Sequence, residues 1–319
     1  MTLKKIEFSD RDTTLAKLLA NLQEETEDLS RQLLANLSDL NPSELKQFEA
    51  TWEGLNTKRK CATLSRLCEL AEDSIEYDFG AIFRHALRDT DSTVRQSAIE
   101  GLWENEEPSL IRPLLNILAE DSSEITRESA ATALGRFAVL AECHRIDADN
   151  VVRLSQPLLT IVNNQGESLP LRRRALEAVA PLSLADVTQA IWAAYRREEP
   201  EMRVGALRAM GLNRDLLWLP TIIQELASDD PEIRYVSAEA AGALGEEEAV
   251  TPLIELLDDS DPEVRLATIQ ALGNIGGATA KRALEYLVKH EDSSIREAAT
   301  NALSEMELYT KPLSIQETG

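Results

Sequence analysis

The sequence contains few of the residues on which disulfide frameworks and metal sites depend. There are three cysteines and three histidines among 319 residues. An odd number of cysteines without a regular spacing is typical of a protein from a reducing compartment. The chain has no run of about 18 apolar residues, and residues 1–10 lack the apolar core of a secretion signal. We therefore predict a soluble cytoplasmic protein without a membrane segment.

Basic residues are also scarce relative to acidic ones. Lysine and arginine total 33 against 56 aspartates and glutamates, which gives a net charge of −23. A field of that sign repels phosphate backbones, so nucleic acid is an unfavourable partner. Three short basic clusters occur at residues 58–60, 172–174 and 196–197. Such clusters are more typical of solvated helix faces than of binding sites.

The sequence shows no constellation that predicts catalysis. His85, His144 and His290 are far apart, and the single pair His290-Glu291 does not complete an iron site built from several such pairs. Cys143 precedes His144, but neighbours on a helix point about 100° apart, and no third group accompanies them. No glycine-rich phosphate loop precedes a helix. We therefore predict no enzyme, no cofactor and no metal site.

A repeated segment is the strongest positive feature of the chain. Asp261-Pro-Glu-Val-Arg265 has close counterparts that end at other arginines. The last four arginines are 31 residues apart, and the same register continues backwards with steps of 31, 45 and 32. The seven arginines are Arg95, Arg127, Arg172, Arg203, Arg234, Arg265 and Arg296. A fixed period in this range indicates stacked supersecondary units. We predict an all-α, right-handed solenoid of helical hairpins.

Each repeat is predicted to contain a first helix, a short acidic turn and a second helix. The residue four before the arginine is mostly a helix N-cap type, and proline often follows it at the first helical position. Positions one before, three after and seven after the arginine are apolar or small, which predicts a buried stripe. Gly245 and Gly276 are predicted to end their second helices.

The same pattern sets the predicted domain boundaries. Residues 1–40 lack the repeat but carry leucine stripes, which predicts helices that cap the first face of the stack. Residues 41–308 form the solenoid of about eight repeats, with Lys60 near the arginine position of the first. The 45-residue step between Arg127 and Arg172 predicts an insertion near residues 137–150, with Asp147 or Asn150 capping the next helix. Residues 309–319 are predicted to be a flexible tail.

The Asp-Pro-Glu-Val-Arg turn, the alanine-rich second helix that ends in Ala-Leu-Gly and the prolines of the first helix resemble HEAT repeats. The likeness covers roughly residues 43–306, and the repeats resemble the short type also found in phycobilin lyases. In that family the turn aspartate and the helix arginine commonly form a ladder. The resemblance implies such pairs for Asp230 with Arg234, Asp261 with Arg265, and Asp292 with Arg296. Arg127 and Arg172 have Ser123 and Ser168 at the position of the turn aspartate. The resemblance therefore implies no ladder pair there unless Asp121 or Glu167 substitutes.

The resemblance and the lack of a catalytic constellation favour a non-catalytic scaffold or adaptor for protein partners. The alternative is a bilin lyase-like or tetrapyrrole-handling protein, which the repeat type allows. DNA-alkylation-repeat glycosylases share the helical array, but they need a basic groove, and this chain is acidic.

A candidate partner-binding surface follows from the helical phase. Positions one and five after the arginine lie opposite the buried stripe and should form an exposed ridge. Three consecutive repeats place Val204, Tyr235 and Leu266 at the first of these positions, and Arg208, Glu239 and Gln270 flank them. We predict an apolar strip with a polar rim and Tyr235 as its anchor. The open alternative is that neighbouring helices cover these side chains.

Overall fold

The computed structural model describes residues 14–24 and 30–310, and in these ranges it contains α-helices and short 3-10 turns but no β-strand. The all-α fold class is therefore confirmed. Residues 1–13, 25–29 and 311–319, which include part of the predicted cap and most of the predicted tail, lie outside the described residues. The chain divides into two compact units, residues 1–137 and 138–319, with the boundary inside one long helix.

The first unit begins with a helix described over residues 14–23, here α1, whose leucines are buried. Arg59 donates hydrogen bonds to the carbonyl oxygens of Asn21 and Leu22, at 2.8 and 3.1 Å, and thereby holds α1 against the first helix pair. The further helices are α2 (Arg31–Leu34), α3 (Pro42–Trp52), α4 (Thr57–Asp73), α5 (Gly80–Ala86), α6 (Ser92–Gly101), α7 (Ile111–Glu120) and α8 (Glu124–Glu142), of which α8 runs into the second unit.

The second unit continues the alternation of first and second helices. Its elements after α8 are α9 (Ala148–Asn163), α10 (Leu169–Val179), α11 (Ala185–Tyr195), α12 (Pro200–Asn213), α13 (Leu219–Glu225), α14 (Pro231–Leu244), α15 (Val250–Glu255), α16 (Pro262–Ile275), α17 (Gly277–Leu287) and α18 (Ser293–Thr310). The even-numbered helices from α10 to α18 are the second helices of their repeats, and neighbouring ones pack directly against each other.

Local sequence explains where these helices begin and end. Asp261 accepts hydrogen bonds from the first-turn N–H groups of Glu263 and Val264, and Asp147 caps α9 in the same way. The predicted N-cap Glu199 is an exception, because its side chain makes no capping bond. Gly245 ends α14 in the left-handed conformation, with φ 75°, which a side chain would disfavour.

The predicted buried stripe forms the core of the repeats. Val94, Met202 and Val264, which precede their arginines, are completely buried, and so are the alanines three residues after most arginines. Leu303 is the exception, because it is only half-buried on the last described helix. The hairpin stack therefore follows the sequence periodicity.

Glycine allows the second helices of the second unit to approach closely. A Cβ atom placed on Gly242 would lie 2.8 Å from the Cα atom of Ala271, inside van der Waals contact. Gly211 has the same relation to Ala240, and Gly273 meets the Cβ atom of Ala302 at 2.8 Å. The glycine eight residues after the arginine thus faces an alanine of the next repeat.

Candidate partner-binding surface

Ion pairs between successive repeats fix the turns beside the second helices. Arg234 donates from Nε and Nη2 to the carboxylate of Asp259, at 2.6 and 2.8 Å, and from Nη1 to the carbonyl oxygen of Ser228 at 2.8 Å. Asp259 also accepts a 2.8 Å hydrogen bond from the backbone N–H of Asp261. The hydrogen bonds from Arg234 hold the pKa of Asp259 below its ordinary value of 3.8.

The predicted ladder partners are therefore wrong. Asp230, Asp261 and Asp292 accept N–H groups of their own helices at 2.9, 2.9 and 2.8 Å, instead of pairing with Arg234, Arg265 and Arg296. The physical reason is that an N-cap carboxylate is already used by the first helical turn. The arginine instead reaches the turn of the following repeat.

Arg265 and Arg296 donate hydrogen bonds to backbone carbonyl oxygens of the turn but form no ion pair of this kind with any described residue. Arg265 donates to the carbonyl oxygen of Asp259 at 2.6 Å, and Arg296 donates to those of His290 and Glu291 at 2.7 Å each. His290 occupies the position that Asp259 holds one repeat earlier, and its Nδ1 accepts the N–H of Asp292 at 3.1 Å. Among the described residues, Arg265 consequently has no carboxylate partner.

Three further ion pairs have this inter-repeat form, although the sequence interpretation missed them. They are Lys60 with Asp89 at 2.7 Å, Arg95 with Asp121 at 2.6 Å and Arg203 with Glu225 at 2.7 Å. The signal was present, because Asp89, Asp121 and Asp259 all stand six residues before an arginine of the repeat. The repeat pattern does not indicate Glu225, because Glu225 does not stand six residues before an arginine of the repeat.

The series of inter-repeat ion pairs is interrupted at Arg172. Its Nε donates to the carbonyl oxygen of Val162 at 3.2 Å, and its Nη2 has no hydrogen-bond partner among the described residues. Six residues before the arginine, where other repeats have an aspartate, the repeat of Arg203 has Arg197. Burial, together with the charge of Arg197, lowers the pKa of Arg172. Asp121 pairs with Arg95 at 2.6 Å, and the charge of Arg127 also helps to lower the pKa of Asp121.

The predicted apolar strip on the second helices is only partly present. Val204 is 3% exposed, so its assignment to the strip is wrong. Its helix packs against α10, and the side chain of Arg173 crosses α12 at Gly205, where a Cβ atom would lie 2.5 Å from Arg173 Cγ. Tyr235 and Leu266 are half-buried, whereas Glu239 and Gln270 are exposed.

The remaining side chains form a surface that we call the second-helix ridge. It consists of Arg173, Glu177, Arg208, Tyr235, Glu239, Leu266 and Gln270. Tyr235 donates from its hydroxyl to Glu239 at 2.9 Å, and this hydrogen bond, with burial, raises the pKa of Tyr235. A shallow cavity of about 330 Å³ lies at this point, lined by Tyr235, Leu266, Gln270 and Asn274 among others.

Charges of both signs alternate along the ridge. Glu177 lies 3.8 Å from Arg173 and 4.0 Å from Arg208, and Arg208 in turn lies 3.5 Å from Glu239. These distances are long for ion pairs, and among the described residues the Glu177 Oε1 atom has no hydrogen-bond partner, whereas Oε2 accepts a 3.0 Å hydrogen bond from Arg174. The ridge therefore offers an aromatic and an aliphatic side chain within a loosely paired polar rim.

The described residues contain no group of three or more His, Cys, Asp or Glu side chains arranged to hold a metal ion. His144 lies in the turn after α8, with φ 55°, and the neighbouring Cys143 is an exposed free thiol. In the same part of the chain, no helix has the length and apolar character needed to cross a membrane.

The fold and the repeat pattern agree with a known family. A family model of HEAT repeats matches residues 81–154 and 219–304, about half of the chain. The chain therefore belongs to the HEAT-repeat family, as the resemblance implied. The comparisons do not confirm the phycobilin-lyase type, and they give no support to the tetrapyrrole alternative. No curated protein matches the sequence at a significant level.

Solved structures of similar fold include three structures of importin-type proteins. The Kap95:Nup1 complex has a TM-score of 0.52 at 13% identity and covers 93% of this chain and 46% of that chain. The Kap95p complex with RanGDP gives 0.51 at 13% identity, covering 94% and 46%. Importin β gives 0.50 at 16% identity, covering 92% and 44%. The chain thus spans less than half the length of these structures, and the likeness confirms an α-solenoid fold.

Proposed function

We propose that the protein is a non-catalytic scaffold that holds a protein partner on the second-helix ridge. The observation that carries this proposal is the position of Tyr235 and Leu266, which are half-buried beside a shallow cavity. Arg208, Glu239 and Gln270 surround them with charged and amide groups. Aromatic anchors enclosed by a polar rim are the composition typical of protein-binding hot spots.

The ridge is well prepared for binding because its anchor is already ordered. The hydrogen bond from Tyr235 to Glu239 fixes the phenol, so little side-chain entropy remains to be lost when a partner docks. The close glycine contacts beneath the ridge also hold α12, α14 and α16 at fixed spacing. A rigid row of helices favours a partner that lies along several repeats.

Structures of similar fold support a partner of this class. Kap95 is seen in complexes with Nup1 and with RanGDP, so solenoids of this architecture hold other proteins. At 13% identity this likeness concerns the fold, and it does not identify the partner of the present chain. The proposal therefore names a protein partner without naming which protein.

The proposal is tested by comparing what the immobilised protein and its variants retain from a lysate of the source organism. We expect Tyr235→Ala to weaken retention of a discrete protein at least tenfold, about 1.4 kcal/mol. The matched control is Tyr286→Ala, because Tyr286 is 79% exposed on α17 and lies outside the ridge. Equal losses in both variants, or a loss in Tyr235→Ala that accompanies a lower melting temperature, would contradict the proposal.

A further inference from the structure

A cavity of about 410 Å³ lies in the first unit, at the carboxyl-terminal ends of α4 and α6. Its shape depends on Gly101, because a Cβ atom there would lie 2.1 Å from the Cε1 atom of Phe83. The Phe83 ring therefore rests against the backbone of α6 and forms part of the wall. The lining also includes Cys68, Glu72, Tyr77, Glu100, Trp103 and Glu104.

Trp103 gives this cavity an exposed aromatic surface. Its side chain is 59% exposed, although tryptophan has a large apolar area to bury. It stands eight residues after Arg95, a position at which Gly211 and Gly242 serve close helix packing in the second unit. An indole face open to solvent attracts cations through its quadrupole.

Three glutamate carboxylates line the cavity. Glu72, Glu100 and Glu104 are exposed, and none of them forms an ion pair among the described residues. Burial raises the pKa of the Cys68 thiol to about 11, and the charges of Glu72 and Glu100 contribute. The carboxyl-terminal ends of α4 and α6 add partial negative charge at the same place.

One arginine near this region is already engaged by backbone groups. The charges of Glu106 and Glu104 act on Arg136, and its Nη2 donates to the carbonyl oxygens of Leu102 and Asn105 at 2.9 and 3.4 Å. Its Nη1 is buried without a hydrogen-bond partner among the described residues. Burial lowers the pKa of Arg136. Arg136 therefore leaves the carboxylates of Glu72 and Glu100 unpaired, and the cavity keeps its negative potential.

We propose that this cavity binds an arginine side chain presented by a basic segment of a partner protein. A planar guanidinium stacks on an indole and pairs with carboxylates through its fork of N–H groups. Trp103 supplies the face, and Glu72 and Glu100 supply the carboxylates. This second site goes beyond the second-helix ridge, since all of its residues belong to the first unit.

The test uses the full chain and a defined probe, the peptide acetyl-Gly-Gly-Arg-Gly-Gly-amide, at low ionic strength. NMR titration should shift the backbone amide signal of Gly101 and the indole N–H signal of Trp103. We expect Trp103→Ala and the double variant Glu72→Gln/Glu100→Gln each to raise the dissociation constant at least about tenfold. Circular dichroism checks that the fold is kept, which we expect because these side chains are exposed.

Two controls separate this site from general attraction to an acidic protein. The double variant Glu247→Gln/Glu248→Gln removes the same charge from exposed positions outside the cavity and should leave the dissociation constant unchanged. The same peptide with citrulline in place of arginine should bind at least about tenfold more weakly. Equal weakening in the control variant, equal binding of the citrulline peptide, or no shift at Gly101 would each overturn the proposal.

Discussion

Asp259 shows how one carboxylate connects two repeats. It accepts the N–H of Asp261 in its own turn and pairs with Arg234 of the preceding repeat. Asp259 and Arg234 are only 5% and 13% exposed, so water does little to replace either contact. The N-cap aspartate two residues later serves its own helix alone. Two aspartates of one turn therefore have different roles, which the repeat pattern by itself does not separate.

This difference predicts opposite tolerance to the same substitution. Asp259→Asn should lower the free energy of unfolding by about 2 kcal/mol, because it leaves the guanidinium of Arg234 partly buried without its counter-charge. Asp261→Asn should cost less than about 0.5 kcal/mol, since asparagine caps helices as well as aspartate does. Urea unfolding of both variants measures the two values. A larger loss for Asp261→Asn would restore the original ladder assignment.

The same pair predicts a pH dependence. The pKa of Asp259 is lower in the folded protein, so its contribution to stability is fully present above its unfolded value and is lost as the pH falls through the folded value. The stability difference between the wild type and Asp259→Asn should therefore be constant above about pH 5 and shrink below about pH 4. Urea unfolding from about pH 7 to about pH 2 measures it, and a difference that does not shrink as the pH falls from about 5 to about 2 would refute the assignment.

Buried hydroxyls give a further contrast at single residues. Thr268 is fully buried three residues after Arg265, and its hydroxyl has no hydrogen-bond partner within the described part of the chain. Thr63, at the same position after Lys60, is equally buried but donates to the carbonyl oxygen of Arg59 at 2.9 Å. We expect Thr268→Val to stabilise the protein by up to about 1 kcal/mol and Thr63→Val to destabilise it by about 1 kcal/mol. Thermal unfolding that gives both changes the same sign would contradict this account.

Among the elements, the second helices depend on glycine for their spacing. We expect Gly242→Ala to cost about 1–2 kcal/mol, because the new methyl group meets the backbone of Ala271, and this outweighs the gain in helix propensity. Gly205→Ala should cost less, since its obstacle is the movable side chain of Arg173. Chemical denaturation of both variants compares them. An equal cost would show that close backbone packing is not the reason for the glycine column.

The helices themselves were largely predictable because their signals are local. Asp147 and Asp261 cap as expected, and Gly245 ends α14 as expected. The surface was less predictable, because exposure depends on how closely neighbouring helices approach. Val204 has the same helical phase as Tyr235, yet it is buried, whereas Tyr235 is half-buried. Tyr235 and Arg208 both contact Glu239, and the repeat period does not determine these side-chain distances.

For the whole molecule, the 31-residue period predicted the architecture, because stacked units need the same contacts at every step. Function is not determined in this way, because many unrelated partners bind to one solenoid fold. The sequence indicated the ridge through Tyr235 and Leu266 but missed the cavity beside Trp103. The shape of that cavity depends on the contact of the Phe83 ring with the backbone at Gly101, which the repeat period does not determine.

The central claim is that the second-helix ridge is where a protein partner docks. Photo-crosslinking tests it most directly, with Tyr235→p-benzoyl-phenylalanine compared with Tyr286→p-benzoyl-phenylalanine in cells of the source organism. The account predicts a discrete crosslinked protein from position 235, none from position 286, and loss of the crosslink when Leu266→Glu is added. A crosslink at position 286 alone, or one at position 235 that survives Leu266→Glu, would contradict it.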